Sequence, residues 1–537
     1  MEILRANSPE EAVGALAKAD AARRDGAWIA GYLGYELGAV LCGLPYQTSE
    51  APLLLLGVFH APQQSSIQHQ GDARLSPRIS RVSKKTYANS VSAIRAAIYE
   101  GYVYQVNLTV PFDARYDGDP DDLFALLSDA ANVPYSAFVH DGKSAILSFS
   151  PELFLRIERG EILCKPMKGT APLDQPEQLF NAKNRAEHLM IVDLVRNDLH
   201  RIARDIRVTH PFAIERFPTF ATMTSEIRGS LDPKTPFLEL LRATFPCGSI
   251  TGAPKEAAMR AITEVETSVR GAYCGAIGYL APHGDCEWNV AIRTLQLDTQ
   301  RKSLRFDVGG GIVADSVATE EWSEINIKSK FLDAATDPLS IWETFAANDD
   351  RDPHITRMLA TGRALACEID EQRLRTYVST IPLQPGSLVR LRAHADGRFS
   401  HSLETLTPQP ETVRVIMYHE HVWSDDPFLG WKTSWRPIHQ RAATYADERH
   451  CFDALLCNER GEITEGSRSS LFITRNGRLH TPPVECGLLP GILRARLLAS
   501  GEAVETRLTP MDVANAESIF IGNAARGLLR ADLVTVA

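Results

Sequence analysis

The sequence predicts two successive units, each mixing helices with strands, that meet near residues 335–339. Two observations carry that division. Along the first 335 residues, apolar positions switch between helical and strand-like spacing. After Asp337-Pro338 the texture changes to shorter strands and turns, with little linker. A length of 537 residues agrees, because a single hydrophobic core stops growing well below that size.

In chain order, Tyr87, Val91, Ile94 and Ile98 recur at helical spacing. Gly101 breaks the pattern, and residues 102–110 (YVYQVNLTV) read as a strand. A helix is expected over about 184–204, and Ser303–Val308 reads as a strand running into Gly309-Gly310-Gly311. A further helix is expected from Thr319, whose hydroxyl caps it, with Glu320 and Glu321 in its first turn. It should run to about Ala335, where Asp337-Pro338 interrupts it.

Composition narrows the function. Hydrophobic content of 44% and charged content of 23% are ordinary for a globular protein. The net charge of −10 argues against a nucleic-acid or anionic-membrane partner, since phosphate contacts need clustered Lys and Arg. Nine scattered cysteines without a CxxC pair read as reduced thiols. The N-terminus has no apolar targeting core and no stretch of 18 apolar residues occurs, so a cytoplasmic location without a membrane span is expected.

Several side chains invite chemistry. Glu187 shares a helical face with Ile191 and Leu194, and an inward carboxylate is costly unless paired, protonated or metal-bound. Glu321, Glu324 and Lys328 also share a face, although a solvated Glu324–Lys328 pair would give the same spacing. Gly309 and Gly310, within the triple glycine, let backbone N–H groups approach an anion. Arg293, near a strand end, is suited to clamping a carboxylate. Lys168, in KPMKGT (165–170), is either a solvated loop lysine or a nucleophile.

These segments resemble the chorismate-utilising enzymes, the family of anthranilate synthase component I and aminodeoxychorismate synthase component I. The matching runs, in order, are YQVNLT (104–109), SFSPELF (148–154), KPMKGT (165–170), AEHLMIVDLVRND (186–198), GSITGAPK (248–255), RGAYCGAIGY (270–279), NVAIRT (289–294), GGGIVADS (309–316) and EEWSEINIK (320–328). The resemblance implies an α+β sandwich over residues 1–335, with a trimmed part at about 1–80 and no aromatic feedback site. It implies Mg²⁺ held by Glu187 and Glu324, and substrate carboxylates gripped by Tyr273, Arg293, Gly309, Gly310 and Lys328. Ser249 would lie near the ring. Gln105 matches members that use ammonia rather than water. Lys168 matches those that make aminodeoxychorismate, where it attacks ring carbon C2 while Glu152 protonates the departing C4 hydroxyl. That attack needs a neutral amine, and a free lysine titrates near ~10.4. Thr222 stands near where many relatives carry a histidine, which puts any acid–base role there in doubt.

Residues 336–537 resemble the fold-type IV pyridoxal phosphate enzymes, which include aminodeoxychorismate lyase, branched-chain aminotransferase and D-amino-acid aminotransferase. The matching runs are IWETF (341–345), HITRM (354–358), WKTSWR (431–436), EITEGSRSSLF (462–472), TPP (481–483), GLLPGILR (487–494) and FIGNAARG (520–527). The resemblance implies an α/β domain in which Lys432 is the Schiff-base lysine and Glu465 pairs with the pyridinium nitrogen. Arg357 and the backbone at Ile492 and Leu493 would hold the phosphate. Thr344 would act beside the lysine. Leu493 and Ala524-Ala525 replace hydroxyl residues of many relatives, and His439 replaces a tyrosine.

The expected function is bifunctional: chorismate plus ammonia to aminodeoxychorismate, then pyridoxal phosphate-dependent loss of pyruvate to give 4-aminobenzoate for folate. An aminotransferase second unit and a noncatalytic second unit are the competing readings. No glutaminase motif is recognisable, so a separate class I glutamine amidotransferase subunit is the expected ammonia source. A second copy of the chain, meeting it through the second unit, is the other expected partner.

Overall fold

The computed structural model describes residues 2–48, 51–65, 71–217 and 220–534, and the Thr170 side chain of the 165–170 motif lies outside the described residues. The chain divides into two compact units, Met1–Thr336 and Asp337–Ala537.

The first unit is built on two antiparallel sheets. One has ten strands and runs from Glu2–Ala6 through Leu54–Phe59, Trp28–Leu33, Ala276–Leu280 and Cys286–Val290. It continues through Leu153–Glu158, Glu161–Lys165 and Phe220–Leu231 to Met167–Ala171, with Ala203–Phe217 also paired to Phe220–Leu231. Residues 1–80, expected as the trimmed N-terminal part, supply the three strands at one end of this sheet. The other sheet is organised by Gln105–Asp117 beside Ser303–Ile312. Apolar side chains from both sheets and their helices merge into one large core.

Local sequence explains the helices that frame the site. Lys84–Tyr99 is capped by Ser83 and buries Tyr87, Val91 and Ile94. Ala182–His200 is capped by the Asn181 side chain, which accepts from Asn184 N–H. It buries His188, Ile191, Val192, Val195 and Leu199, with Glu187 half-buried at the edge of that stripe.

Several boundaries differ from expectation: the helix expected over about 184–204 is Ala182–His200, and the strand expected over Ser303–Val308 continues to Ile312. The strand begins at Gln105 rather than Tyr102, where pairing with Ala253 becomes available; Tyr102 and Tyr104 remain exposed. The later helix is Ala318–Lys328, with Val317 rather than Thr319 at its N-cap, because Glu320 and Glu321 N–H both donate to Val317 O at 3.0 Å. It stops short of Ala335 and gives way to a 3₁₀ turn over Lys330–Ala334, with Ser329 Oγ donating back to Asn326 O. The triple glycine lies inside the Ser303–Ile312 strand, Gly309 opposite Thr109 and Gly311 opposite Asn107.

The second unit has a three-stranded antiparallel sheet, Ser340–Ala346, Ser387–His394 and Phe399–Thr405. A separate eight-stranded mixed sheet contains parallel pairs between Thr412–Val422 and both Asp453–Asn458 and Gly527–Val534. The two sheets have distinct apolar cores.

Trp288, 1% exposed and stacked on Phe237 at 5.4 Å, anchors the ten-stranded sheet. Trp288→Ala should destabilise the first unit by about 3–5 kcal/mol. Chemical denaturation followed by circular dichroism would show this as a lower midpoint.

Candidate functional site

Two facing strands form the floor of the first site. Strand alternation puts Gln105, Asn107 and Thr109 on one face, and all three are buried. Gln105 Oε1 and Nε2, Asn107 Nδ2 and Thr109 Oγ1 have no hydrogen-bond partner among the described residues. Orphaned buried amides are costly, so such a row is suited to receiving a polar ligand. Across from it the glycines leave space rather than a loop cradle. A Cβ on Gly311 would sit 2.5 Å from Gln105 Nε2 and 3.4 Å from Lys168 Nζ. One on Gly309 would sit 3.1 Å from Tyr273 Oη. Asn107 and Thr109 N–H donate away from the glycine strand, to Thr251 O and Glu266 Oε1. Their partners Gly311 and Gly309 are therefore non-hydrogen-bonded pairs, whose N–H groups project to the opposite edge. Lys328 Nζ reaches that edge and donates to Gly309 O at 2.8 Å.

Lys168 enters from Met167–Ala171, paired in register with Met223. Its Nζ lies 3.4 Å from Ser249 O. Burial disfavours the ammonium and lowers its pKa, aided by Lys328 and opposed by Glu187, Glu152 and Glu324. Glu152 is 3% exposed, and burial pushes its carboxyl up to about 7 against the Ser249 hydroxyl, Lys168 and Met167 N–H. The structure thus brings Lys168, Glu152, Gln105, Ser249, Tyr273, Gly309, Gly310 and Lys328 to one place, with Lys328 Nζ and Glu321 Oε2 bordering Gly310. Arg293 adopts a left-handed backbone (φ 52°) and stacks over Phe220, its centre 4.4 Å from the ring. Burial lowers its pKa to about 10, and no ion pair to it occurs among the described residues. A desolvated guanidinium held in costly backbone geometry is a ready carboxylate receptor.

Glu187 and Glu324, from two different helices, both act electrostatically on Lys168. Glu324 also pairs with Lys328 at 2.8 Å, while Glu321 is buried against Ser316 Oγ. Two carboxylates suit Mg²⁺, which completes its shell with water and substrate oxygens. No cluster of three or more metal-binding side chains occurs among the described residues. Thr222, at the histidine-less position, donates to Gly169 O at 2.7 Å and braces the Lys168 strand. His188 was missed by sequence reasoning. It is fully buried 2.7 Å from Ser225 Oγ, and burial with Lys168 holds it near pKa 4. Its place on the inward stripe of the helix was the available signal.

In the second unit Lys432 O accepts from Trp342 N–H at 2.8 Å, which ties the lysine segment to the Ser340–Ala346 strand. Burial lowers the Lys432 amine to about 8, opposed by Glu343 and assisted by Arg357, Arg436 and Arg390. Glu343, not singled out from sequence, is 1% exposed and binds Arg357 through both oxygens at 2.8 Å. It also meets His354 at 2.7 Å, and these partners hold it near pKa 2 despite its burial. Strand alternation turns Thr344 to the opposite face, across from Arg390.

Arg357 Nη1 donates to Pro490 O at 3.1 Å, next to Gly491, the N-cap of helix Ile492–Ala499. That places a guanidinium beside the unpaired N–H groups of a helix start at Ile492 and Leu493, which suits a phosphate. The Leu493 side chain packs with Phe472, Leu497 and Ala503 instead of offering a hydroxyl. Glu465, buried, accepts from Arg436 at 2.7 Å and lies 3.0 Å from His439 Nε2. Arg436 overcomes burial and keeps Glu465 ionised. Arg436 Nε and His439 Nδ1 remain buried without hydrogen-bond partners among the described residues. A poised lysine, an ionised carboxylate and an arginine at a helix start form a donor set that fits pyridoxal phosphate.

Two outcomes follow from this geometry. Gly311→Ala should fold normally yet lose chorismate-dependent turnover by at least about tenfold, since its methyl fills the space beside Gln105 and Lys168. Glu343, held below its unfolded value, stabilises the protein above ~4.3 and loses that contribution as pH falls towards about 2. Thermal melts of Glu343→Gln should therefore show reduced stability at neutral pH and a flatter decline between those values.

Comparison with known proteins agrees with both halves. Residues 5–334 match the family described as chorismate binding enzyme, and residues 350–534 match amino-transferase class IV. The aminodeoxychorismate synthase component 1 of Klebsiella aerogenes is 42% identical over 254 residues, 45% of this chain and 56% of that protein. The anthranilate synthase component 1 of Aquifex aeolicus is 35% identical over 264 residues, 47% of this chain and 53% of that one. The chain thus spans just over half the length of these curated relatives. The crystal structure of anthranilate synthase component I from Streptococcus pneumoniae TIGR4 superposes with a TM-score of 0.53 at 28% identity, covering 59% of this chain and 85% of that one. No helix among the described residues is long and apolar enough to cross a membrane. The C-terminal unit has the fold-type IV aminotransferase-like architecture, and the chain belongs to the chorismate binding enzyme family.

Proposed function

We propose that the first unit converts chorismate and ammonia to aminodeoxychorismate and that the second releases pyruvate from it to give 4-aminobenzoate. The observation that carries this reading is the Lys168 amine. It is half-buried, its pKa is lowered by desolvation, and it lies beside both an acid and a row of polar groups without partners among the described residues.

In the first step Lys168 Nζ bonds to ring carbon C2, both ring double bonds shift, and the C4–O bond breaks. Glu152, with its pKa near 7, donates the proton that lets the hydroxyl leave as water. The adduct keeps its proton. Ammonia, received by the Gln105 amide, then bonds to C4 as the C2–Nζ bond breaks and Lys168 leaves as the neutral amine, and the new C4 ammonium returns a proton to the Glu152 carboxylate. Chorismate and ammonia become aminodeoxychorismate and water. Arg293, Tyr273 and Lys328 orient the two substrate carboxylates. Glu187 and Glu324 would hold Mg²⁺, which supplies charge neutralisation at the ring carboxylate. Thr222 leaves no imidazole at its position, so the acid role falls to Glu152.

In the second unit Lys432, Arg357, Glu465 and the backbone at Ile492 and Leu493 would hold pyridoxal phosphate, which supplies an electron sink when bound. Lys432 Nζ, near pKa 8, takes and returns protons at the substrate carbon, with Thr344 on the neighbouring strand. Arg436 and His439 fix the Glu465 carboxylate. Ammonia comes from a separate class I glutamine amidotransferase, in keeping with the component 1 relatives. The class IV aminotransferase match favours a second reading, transamination of an amino acid with 2-oxoglutarate.

The deciding assay supplies chorismate, ammonium, Mg²⁺ and pyridoxal phosphate. Wild type should release 4-aminobenzoate, Lys168→Ala should lose product by at least about a hundredfold, and Lys432→Ala should accumulate aminodeoxychorismate. Anthranilate from wild type would overturn the first assignment. Transamination without pyruvate release would overturn the second.

A further inference from the structure

The second site holds one buried hydroxyl that none of its neighbours uses. The strand Ile463–Gly466 carries Glu465 and the strand Ser470–Arg475 begins at Ser470, with Ser467–Ser469 turning between them. Asp453, fully buried, pins that turn. Its carboxylate accepts from the Ser467 and Ser469 hydroxyls and from Ala454 and Arg468 N–H. Ser470 is 7% exposed, and its hydroxyl has no hydrogen bond to any described residue. It lies opposite Gly522 in the sheet, on the face where a Cβ at Gly522 would meet Leu493 Cδ2 at 2.7 Å. The Ser470 hydroxyl is thus aimed at the start of the helix Ile492–Ala499: a Cβ on Gly491, the N-cap, would sit 2.6 Å from Ser470 Oγ. Gly491 supplies no side-chain cap, so the first-turn N–H groups stay open to a ligand.

We propose that Ser470 binds the cofactor phosphate, its hydroxyl donating to a phosphate oxygen at the start of Ile492–Ala499. This rests on pyridoxal phosphate occupying the second site. Other donors there are scarce. Arg357 is shared with Glu343, and the Arg494 guanidinium is turned away to Pro482 O and Glu505. Leu493 is apolar and packed into a core, and Ala524-Ala525 carry no hydroxyl. A phosphate monoester presents three strong acceptor oxygens, more than one shared arginine and two backbone N–H groups satisfy. A serine hydroxyl with no competing acceptor gives its one proton to such an oxygen. One turn then serves both ends of the cofactor, with Glu465 before it for the ring nitrogen and Ser470 after it for the phosphate. Asp453 holds that turn in shape.

The test titrates the full chain, freed of cofactor, with pyridoxal phosphate and separately with pyridoxal, which lacks the phosphate. Binding is followed by the absorbance of the bound aldehyde. In Ser470→Ala the Kd for pyridoxal phosphate should rise ~10-fold, the loss of one charge-assisted hydrogen bond. The Kd for pyridoxal should stay at the wild-type value. Thermal melts of the two cofactor-free chains should superpose, since the hydroxyl has no partner in the protein to lose. A Ser470→Ala chain that bound pyridoxal phosphate as tightly as wild type would overturn the proposal. So would one that lost both compounds equally or melted lower without cofactor, because the hydroxyl would then be a structural group. A wild type that took up neither compound would instead sink the cofactor reading of the second unit.

Discussion

Two lysine ammonium groups are largely withdrawn from water, and much of the surrounding structure manages that one electrostatic cost. Taking an ammonium out of water favours the neutral amine. At Lys168 the effect is moderated by Glu152, Glu187 and Glu324 and sharpened by Lys328. At Lys432 it is moderated by Glu343 and sharpened by three arginines. Each unit thus balances a half-buried amine between carboxylates that would charge it and cations that would not. In both the pKa is lowered towards the neutral form that a nucleophile requires.

The carboxylates differ in how they are restrained, and the difference separates their chemistry. Glu152 has few partners and is driven up to about 7. Glu343 and Glu465 are equally buried but each is bound by an arginine, which holds them ionised. Burial alone does not decide the charge of these three carboxylates; the bound guanidinium separates Glu343 and Glu465 from Glu152. One of these groups can therefore donate a proton near neutral pH, while the other two serve as fixed negative charges.

Backbone packing makes room for this arrangement. The Gly309–Gly311 stretch stays inside a strand, so its ladder with Gln105–Asp117 is preserved while side-chain volume is removed beside Gln105, Tyr273 and Lys168. A loop of the same glycines would have cost order at the place where order matters most. The sheet supplies a rigid floor and the absence of Cβ atoms supplies the space.

Much of this was legible in the sequence, because order and spacing of short motifs survive without coordinates. The two units, the Tyr87–Ile98 helix, the inward stripe around Ile191 and the candidate lysines and glutamates could be placed from periodicity and motif resemblance. Glu343 and Arg436 could not, because each gains meaning only from a partner distant in sequence. The Thr319 cap failed for a related reason, since Val317 O was already the acceptor for the first-turn N–H groups. The sequence by itself determined which chemical groups are present and which face of a helix or strand each occupies, since these depend on local period. Only the tertiary structure decided their charge, because desolvation and ion pairing depend on what the rest of the chain packs against each group.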